Sequence, residues 1–160
     1  MRTIALTKGY ITLIDDEDYQ RIMAFGPWMA LVTDGKVYAA HYKNKHTYLM
    51  HRFILGLTDP DIEADHINRN GLDNQKHNLR RGTYLNNPHN QGINRRNTSG
   101  FKGVTWNKRR SKWYAQISTN GLRRHIGSFD TPIEAALAYD TEATKHFGEF
   151  ACTNAMLNLL

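Results

Sequence analysis

The chain has 160 residues, 40% of them hydrophobic and 22% charged, a composition ordinary for one soluble domain or two small ones. Its one cysteine, Cys152, excludes an internal disulfide bond and a zinc site built from several cysteines. No stretch approaches the length of a membrane span, and the first ten residues lack the apolar core of a signal peptide. We therefore expect a cytoplasmic protein with no membrane partner.

The net charge of +6 is unevenly distributed. Nine Lys and Arg residues lie between residues 95 and 124, a window without Asp or Glu, and the rest of the chain holds 12 basic against 15 acidic residues. A solvated surface that binds nothing normally mixes its charges. A basic segment of this kind suits the release of counterions from a polyphosphate, so it indicates a nucleic-acid partner.

Residues 1–50 are predicted to be rich in strands. The stretches "TIALTKGYITLID" and "KVYAAHYKNKHTYLM" are rich in β-branched and aromatic residues, and turn formers such as "TDGK" separate them. Between them, "DDEDYQRIMAF" predicts a short helix with an acidic first turn. A further short helix is predicted over "MHRFILGL", ending at Gly56, and the polar segment "ADHINRNGLDNQKHNL" follows.

A linker is predicted over residues 93–100, because "NNPHNQGINRRNTSG" has one aliphatic residue among Asn, Gly, Pro and Ser. After it, "GVTW", "KWYAQIS" and "RRHIGSF" predict three antiparallel strands. The segment "DTPIEAALAYDTEATKHFG" predicts a helix, with Thr131 and Glu134 forming a capping box, Pro132 at its first position and Gly148 at its end. The helix is expected to cover one face of the sheet and to leave a polar, basic face open.

Alternation along the second of these strands assigns its side chains to the two faces. Trp113, Ala115 and Ile117 point to the covered face, and the open face receives Lys112, Tyr114, Gln116 and Ser118. In such a face, lysine and arginine contact phosphates, while other side chains can reach base edges.

Residues 101–155, with "GV", "AQI", "IGSF" and "EAALAYD" in register, resemble the Apetala-type (ethylene-response-factor) DNA-binding domain. The resemblance implies a sheet that enters the major groove of duplex DNA. The implied contact positions are Lys102, Thr105, Lys108, Arg110, Lys112, Gln116, Ser118, Arg123 and His125, and we add Trp106 as a possible stacking platform. Thr105 and Ser118 stand where arginine is usual and His125 replaces a tryptophan, so the target sequence of the plant family does not carry over.

The Asp–His pair in "ADHIN" suggests phosphodiester cleavage. That reaction needs a water molecule as nucleophile, a base to take its proton, and positive charge at the phosphate and the leaving oxygen. A histidine can act as the base near neutral pH, and Mg²⁺ or Mn²⁺ held by oxygen ligands can supply the charge. Because neighbouring side chains on a regular strand point apart, we expect Asp65 and His66 at a strand end or bend.

The stretch from "MHRFILGL" through "ADHINRNGLDNQKHNLRRGTYLNNPHN" resembles an HNH endonuclease of the homing or phage type. The resemblance implies a ββα-metal module in which His66 is the general base. It also implies that Asn78 holds the loop or orients the histidine, and that Asp65 and Asn87 bind one divalent metal ion. Asn86 is the alternative to Asn87. The segments "KGYITLIDDEDY", "WMA" and "YAAHY" also resemble the opening of phage-type HNH proteins with a C-terminal Apetala-type domain.

The other Asn and His residues of this region receive structural interpretations. Asn74 is expected to shape a turn, and His51 to be structural or to face DNA. The remaining histidines are predicted to lie on the surface or in loops: His41, His46, His77, His89 and His146. A zinc cage of His77, His89 and Asp65 is rejected, since no pair of these ligands has finger-like spacing.

The sequence thus predicts an α+β protein with a β-rich region (1–50), an HNH module (51–92), a linker (93–100) and a sheet-and-helix DNA-binding domain (101–155). The expected function is a metal-dependent, homing-like DNA endonuclease that nicks one strand, acts as a monomer or weak dimer and uses no small-molecule cofactor. Arg95 and Arg96 are expected to track the DNA backbone. If a phage encodes the chain, the host cytoplasm is its expected location.

Two alternatives to this prediction are a DNA-binding regulator with a silent HNH scaffold and an RNA-binding module. The sheet suits duplex DNA better than RNA.

Overall fold

A computed structural model describes residues 1–83, 90–119 and 121–160 of the chain. It confirms a mixed α+β protein that is rich in sheet and has few helices. The chain forms two compact units, residues 1–87 and 88–160. Within the described residues, no helix is long and apolar enough to cross a membrane.

The described part of unit 1 forms two hairpins, one three-stranded sheet and two short helices. Its elements in chain order are β1 (Arg2–Ala5), β2 (Ile11–Ile14), α1 (Tyr19–Phe25), β3 (Met29–Thr33), β4 (Lys36–Lys43), β5 (His46–Leu49), α2 (Met50–Ile54), β6 (Ile62–His66) and β7 (Leu79–Thr83). Strands β1 and β2 pair as one antiparallel hairpin, β6 and β7 as another, and β3, β4 and β5 form the sheet in that order. The predicted helix with an acidic first turn is α1 preceded by a 3-10 turn over Asp16–Asp18, and the acidic residues lie in that 3-10 turn rather than in the first turn of α1.

The core of unit 1 joins these elements. Ile14 of β2, Ile22 of α1 and Met50 of α2 are all fully buried. The burial of side chains of this size contributes about 1.5–3 kcal/mol each. Since Leu79 of β7 belongs to the same core, the β6–β7 hairpin is anchored to the N-terminal elements.

The prediction that His41 lies on the surface is wrong, because this residue of β4 is 6% exposed. Its ring packs against Phe25 and Trp28, with ring centroids 5.2 and 5.9 Å away. Its Nδ1 lies 2.6 Å from the carbonyl oxygen of Pro27, which accepts a hydrogen bond and so makes burial of the polar ring possible. Three of the other predicted surface histidines are exposed (His46, His77 and His146), and His89 lies outside the described residues.

Unit 2, over its described residues, forms a three-stranded antiparallel sheet and one long helix. The strands are β8 (Val104–Asn107), β9 (Lys112–Thr119) and β10 (Leu122–Phe129), with β9 in the centre, and α3 (Pro132–Phe147) follows. The predicted capping box is present: Thr131 Oγ1 accepts from Glu134 N at 3.2 Å, and Thr131 N donates to Glu134 Oε2 at 3.2 Å. These bonds satisfy amide groups that the start of a helix would otherwise leave unpaired.

Helix α3 covers one face of the sheet closely. Ala115 of β9 packs in one core with Ala135, Ala136 and Ala143 of the helix, and all four are fully buried. The backbone of Gly103 approaches the ring of Tyr139 so closely that a Cβ atom there would lie 2.0 Å from Cδ2. The small side chains therefore place α3 directly on the sheet and leave the opposite face open.

Residues 94–101 form hydrogen-bonded turns, whereas the sequence predicted an extended linker. Asn97 N donates to the Asn94 carbonyl at 2.9 Å, and Asn97 Nδ2 donates to the Phe101 carbonyl at 2.7 Å. The difference arises from the asparagine and serine side chains, which bind nearby backbone groups and stabilise turns.

Candidate active site and nucleic-acid interface

Asp65 and His66 are the last two residues of β6, in agreement with the expected strand end. The antiparallel register of the β6–β7 hairpin pairs Asp65 with Arg80 and His66 with Leu79. His66 is 5% exposed, and the Asp65 side chain is 15% exposed. The hairpin therefore ends in a carboxylate and an imidazole that are both largely shielded from solvent.

Arg80 binds the Asp65 carboxylate directly. Its Nε and Nη2 donate to Asp65 Oδ2 at 2.9 and 2.6 Å, and the Arg80 side chain is only 8% exposed. Charge-assisted bonds of this kind are stronger than neutral ones, and both partners here are shielded from water. Arg80 thus adds a fixed positive charge beside the Asp–His pair. Sequence reasoning missed it, although the hairpin register alone would have placed it opposite Asp65.

Asn74, which the sequence predicted to shape a turn, contacts the ring of His66. Its Oδ1 lies 3.2 Å from His66 Nε2, and its Nδ2 donates to Thr12 Oγ1 at 2.7 Å. Asn74 is fully buried, unlike a surface turn residue. Two roles were considered for Asn78: holding the loop or orienting the histidine. The side chain that contacts His66 is that of Asn74.

Asn78 holds the loop between β6 and β7. Its Oδ1 accepts from Asn68 N at 2.9 Å, and its Nδ2 donates to Asn68 Oδ1 at 2.9 Å and to the Asp73 carbonyl at 2.8 Å. The side chain is 4% exposed, so these three bonds replace the water that it would otherwise bind. The asparagine-rich sequence of this segment therefore forms an internal hydrogen-bond network.

The setting of His66 favours its neutral form. Burial lowers the pKa of His66 below its ordinary value of 6.5, against the hydrogen bond to Asn74 and the charges of Asp65 and Asp73, which raise it. A neutral imidazole at physiological pH can accept a proton, as a general base must.

His51 packs beside His66, with ring centroids 4.8 Å apart in an edge-to-face arrangement. It is 5% exposed, and no hydrogen-bond partner of its Nδ1 occurs among the described residues. Burial, with smaller contributions from His66 and Arg52, lowers the pKa of His51 to about 3. His51 is therefore a neutral packing residue, in keeping with the structural role considered for it.

The proposed second metal ligand, Asn87, its alternative, Asn86, and the helix expected after β7 all lie outside the described residues. In the described part of the chain, no three His, Cys, Asp or Glu side chains come together as a metal site. The donors available are the Asp65 carboxylate and, by resemblance, an asparagine amide. These are hard oxygen ligands, and Mg²⁺ typically takes only one or two carboxylates and keeps several waters. The chemistry of the donor set therefore fits a hard divalent cation.

The open face of unit 2 brings together most of the residues predicted to contact DNA. Strand register places Thr105 opposite Tyr114, Gln116 opposite His125, and Ser118 opposite Arg123. The rings of Tyr114 and His125 meet edge to face at 4.6 Å. Lys112 lies on this face too and contacts the Asp130 carboxylate.

Trp106 lies on the other face of the sheet. It is paired with Trp113, whose ring centroid is 5.0 Å away, and Trp113 packs against the core under α3. Trp106 is 43% exposed at the margin of that covered face, so it does not line the open face as a stacking platform would. The alternation that directs Thr105 outward directs Trp106 to the opposite side.

The remaining basic residues surround the open face. Lys108 and Arg110 are exposed in the turn between β8 and β9, and Arg95 and Arg96 are exposed in the turns before the sheet. A groove of about 460 Å³ runs between those turns and the sheet. Its polar lining includes Asn94, Arg96, Lys102, Thr105, Gln116 and Arg123. Lys102 Nζ donates to the Gln91 carbonyl at 2.6 Å, so this lysine also fixes one wall of the groove.

The chain is similar to one domain family and to several known proteins. Residues 99–146 match the AP2 domain family. An Acanthamoeba polyphaga mimivirus protein named uncharacterized HNH endonuclease is 34% identical over 110 residues, which cover 66% of the chain and 56% of that protein. Protein 3.8 of Escherichia phage T7 is 34% identical over 87 residues, covering 54% of the chain and 71% of that protein.

The plant dehydration-responsive element-binding protein 2D of Arabidopsis thaliana is 46% identical over 59 residues, which cover 34% of the chain and 27% of that protein. The chain thus spans little more than half of the mimivirus protein and about a quarter of the plant protein. No solved structure is significantly similar to the chain.

Proposed function

We propose that this chain, which belongs to the family of protein 3.8 of Escherichia phage T7 and carries an AP2 domain over residues 99–146, is a DNA endonuclease of the HNH type. The observation that carries the proposal is the buried Asp65–His66 pair at the end of a hairpin strand. The name of the mimivirus relative supports it. The ββα-metal form of the site and a homing-like role are parts of the proposal.

In the proposed reaction, His66 takes the proton of a water molecule that attacks the scissile phosphate. Its lowered pKa keeps the ring neutral and ready for this step. Asp65 and Asn87 would hold Mg²⁺ or Mn²⁺, which when bound supplies positive charge at the phosphate and the departing 3′ oxygen. The products would carry 5′-phosphate and 3′-hydroxyl ends. Asn78 keeps the loop closed behind the histidine through its three hydrogen bonds.

Arg80 has a place in this scheme as a second source of positive charge. Since it already binds Asp65 Oδ2, the carboxylate is partly neutralised before any cation arrives. We therefore expect the free protein to bind Mg²⁺ weakly, with the phosphate of bound DNA supplying the negative charge that the site lacks. Replacement of Arg80 by glutamine should strengthen binding of the cation to the free protein.

Unit 2 supplies the DNA affinity in this proposal. An AP2 domain implies binding to double-stranded DNA, and the open face with Gln116, Arg123 and His125 is the surface that would enter the groove. Arg95 and Arg96 would contact the backbone beside it. With one catalytic centre per chain, a monomer would nick one strand, and a double-strand break would need a second copy or a second binding event. The place of action would be the cytoplasm, which is that of the host cell if a phage encodes the chain.

The second candidate is a DNA-binding regulator whose HNH region is only a scaffold. It is favoured by the basic, open face of unit 2, which can bind DNA without any chemistry. The two candidates separate in one assay: the purified protein is incubated with supercoiled DNA that includes sequence from its own source, with Mg²⁺, with Mn²⁺ and with a chelator. Open circles that require the metal support the nuclease. Tight binding without metal-dependent cutting on any of these DNAs supports the regulator.

A further inference from the structure

We propose that Thr12, on the N-terminal β1–β2 hairpin, is a positioning residue for His66 and acts through Asn74 to hold the imidazole in its Nε2–H tautomer. The inference rests on the proposed role of His66 as a base. Under this proposal the β1–β2 hairpin, which is far from the Asp–His motif in sequence, contributes to the orientation of His66.

The carbonyl group of Leu72 fixes the direction of each hydrogen bond between Thr12 and His66. Thr12 Oγ1 lies 2.7 Å from the carbonyl oxygen of Leu72, which can only accept, so the hydroxyl must donate its proton there. The other possible acceptor, Met50 Sδ, is 4.0 Å away and a weak acceptor. With its proton committed to Leu72, Thr12 Oγ1 is an acceptor toward Asn74.

This acceptor fixes the orientation of the Asn74 amide. Thr12 Oγ1 lies 2.7 Å from Asn74, so the group facing it must be the donor, Nδ2. The amide oxygen therefore faces His66 Nε2 at 3.2 Å and can only accept. A flipped amide would instead bring its oxygen against Thr12 Oγ1, which has already donated its proton, and so would place two acceptors together at Thr12.

The amide oxygen in turn fixes the tautomer of His66. A neutral imidazole carries its proton on one nitrogen and a lone pair on the other. Because Asn74 Oδ1 needs a donor, the proton resides on Nε2, and Nδ1 is the nitrogen with the lone pair. The opposite tautomer would bring two lone pairs together in a buried place, where an unsatisfied acceptor is costly. The chain of bonds thus selects Nδ1 as the proton acceptor.

The backbone keeps this chain rigid. Leu13, the neighbour of Thr12, donates its amide to the Leu72 carbonyl at 2.8 Å and accepts from Asn74 N at 2.8 Å, so β2 and the loop are joined by a short parallel bridge. Thr12 and Asn74 are both fully buried, so water is excluded from their polar groups. The imidazole orientation therefore depends on the docking of the N-terminal hairpin.

The first test uses the wild-type protein without metal. Long-range ¹H–¹⁵N NMR spectra distinguish a protonated from an unprotonated ring nitrogen, and His66 is assigned by comparison with His66→Gln. The expected result, at a pH where the ring is neutral, is one tautomer with the proton on Nε2. A proton on Nδ1, or an even mixture of tautomers, would overturn the inference whether or not the protein cleaves DNA.

The second test compares Thr12→Val, which removes the hydroxyl at nearly constant shape, with Thr12→Ser, which keeps it. Thr12→Val should mix the tautomers of His66 and lower the nicking rate about 10–100-fold, the range seen when supporting hydrogen bonds are removed, with DNA affinity unchanged. Thr12→Ser should keep the wild-type tautomer of His66 and the wild-type nicking rate. Wild-type tautomer and wild-type rate in Thr12→Val would overturn the proposal.

A third variant covers the case in which Thr12→Val does not fold. Asn74→Asp keeps an acceptor opposite His66 Nε2, so its His66 should still carry the proton there. A neutral ring that carries its proton on Nδ1 in this variant would contradict the proposal. If the tautomers behave as expected but wild-type protein cuts no DNA, the positioning stands and the nuclease proposal fails.

Discussion

Acid should destabilise unit 1 through its buried histidines. Burial lowers the pKa of His51 to about 3 in the folded chain, whereas an exposed histidine has a value of 6.5. Below pH 6.5, His51 of the unfolded chain therefore binds a proton, whereas His51 of the folded chain stays neutral. The free energy of unfolding falls as the pH drops from about 6.5 toward 3. Between pH 7 and pH 4.5, two units below 6.5, His51 alone should account for about 2–3 kcal/mol.

The assay needs a signal that reports unit 1. The indole N–H of Trp28 donates to the Ile22 carbonyl at 3.0 Å, and its ¹H–¹⁵N resonance can be followed as urea is added at each pH. The matched variant is His51→Phe, which keeps a ring of similar size and removes the titrating group. Its loss of stability between pH 7 and pH 4.5 should be smaller than that of the wild type by about 2–3 kcal/mol. If the wild type and His51→Phe lost the same stability, His51 would not be the cause of the acid effect, because the carboxylates and His66 are present in both proteins.

Three further predictions concern backbone space, DNA contacts and the loop. Gly103→Ala should lower the free energy of unfolding of unit 2 by about 2–4 kcal/mol, since φ is +75° and a Cβ would meet an aromatic ring of α3 at 2.0 Å. Gly121→Ala, with φ of +76° but no atom within 4 Å, should cost only about 1–2 kcal/mol in the same melts, and equal costs would contradict this account. Arg123→Gln should weaken DNA binding and reduce the slope of log affinity against log salt by about 1, whereas Lys145→Gln on α3 should leave the slope unchanged. Asn78→Ala removes three hydrogen bonds and should lower the stability of unit 1 by about 3 kcal/mol in the urea titration described above; a loss below 1 kcal/mol would count against its role in the loop.

Local signals in the sequence predicted local structure well. The capping box of α3 depends on residues three apart, Thr131 and Glu134, so it could be read directly from the chain. Strand alternation gave the correct faces for Ala115 and Ile117. The same rule, applied to β8, would have placed Trp106 on the face opposite Thr105.

Contacts between distant segments were out of reach of sequence patterns. Asn74 looked like a turn residue because it lies between other polar residues, and its partner Thr12 belongs to a hairpin at the other end of unit 1. His41 looked exposed because lysines and asparagines follow it, but the Pro27 carbonyl and neighbouring rings allow it to be buried. Such roles depend on which segments pack together, and that information lies in the fold.

The most direct test of the central claim compares His66→Ala with His77→Ala and the wild type in one nicking assay. His77 is an exposed histidine of the same unit, so its variant controls for the loss of a histidine. All three proteins are given supercoiled DNA and Mg²⁺, and their DNA affinity is measured under the same conditions. We expect His66→Ala to bind DNA as tightly as the wild type but to form no open circles, while His77→Ala cuts normally. Wild-type cleavage by His66→Ala would contradict the assignment of the base.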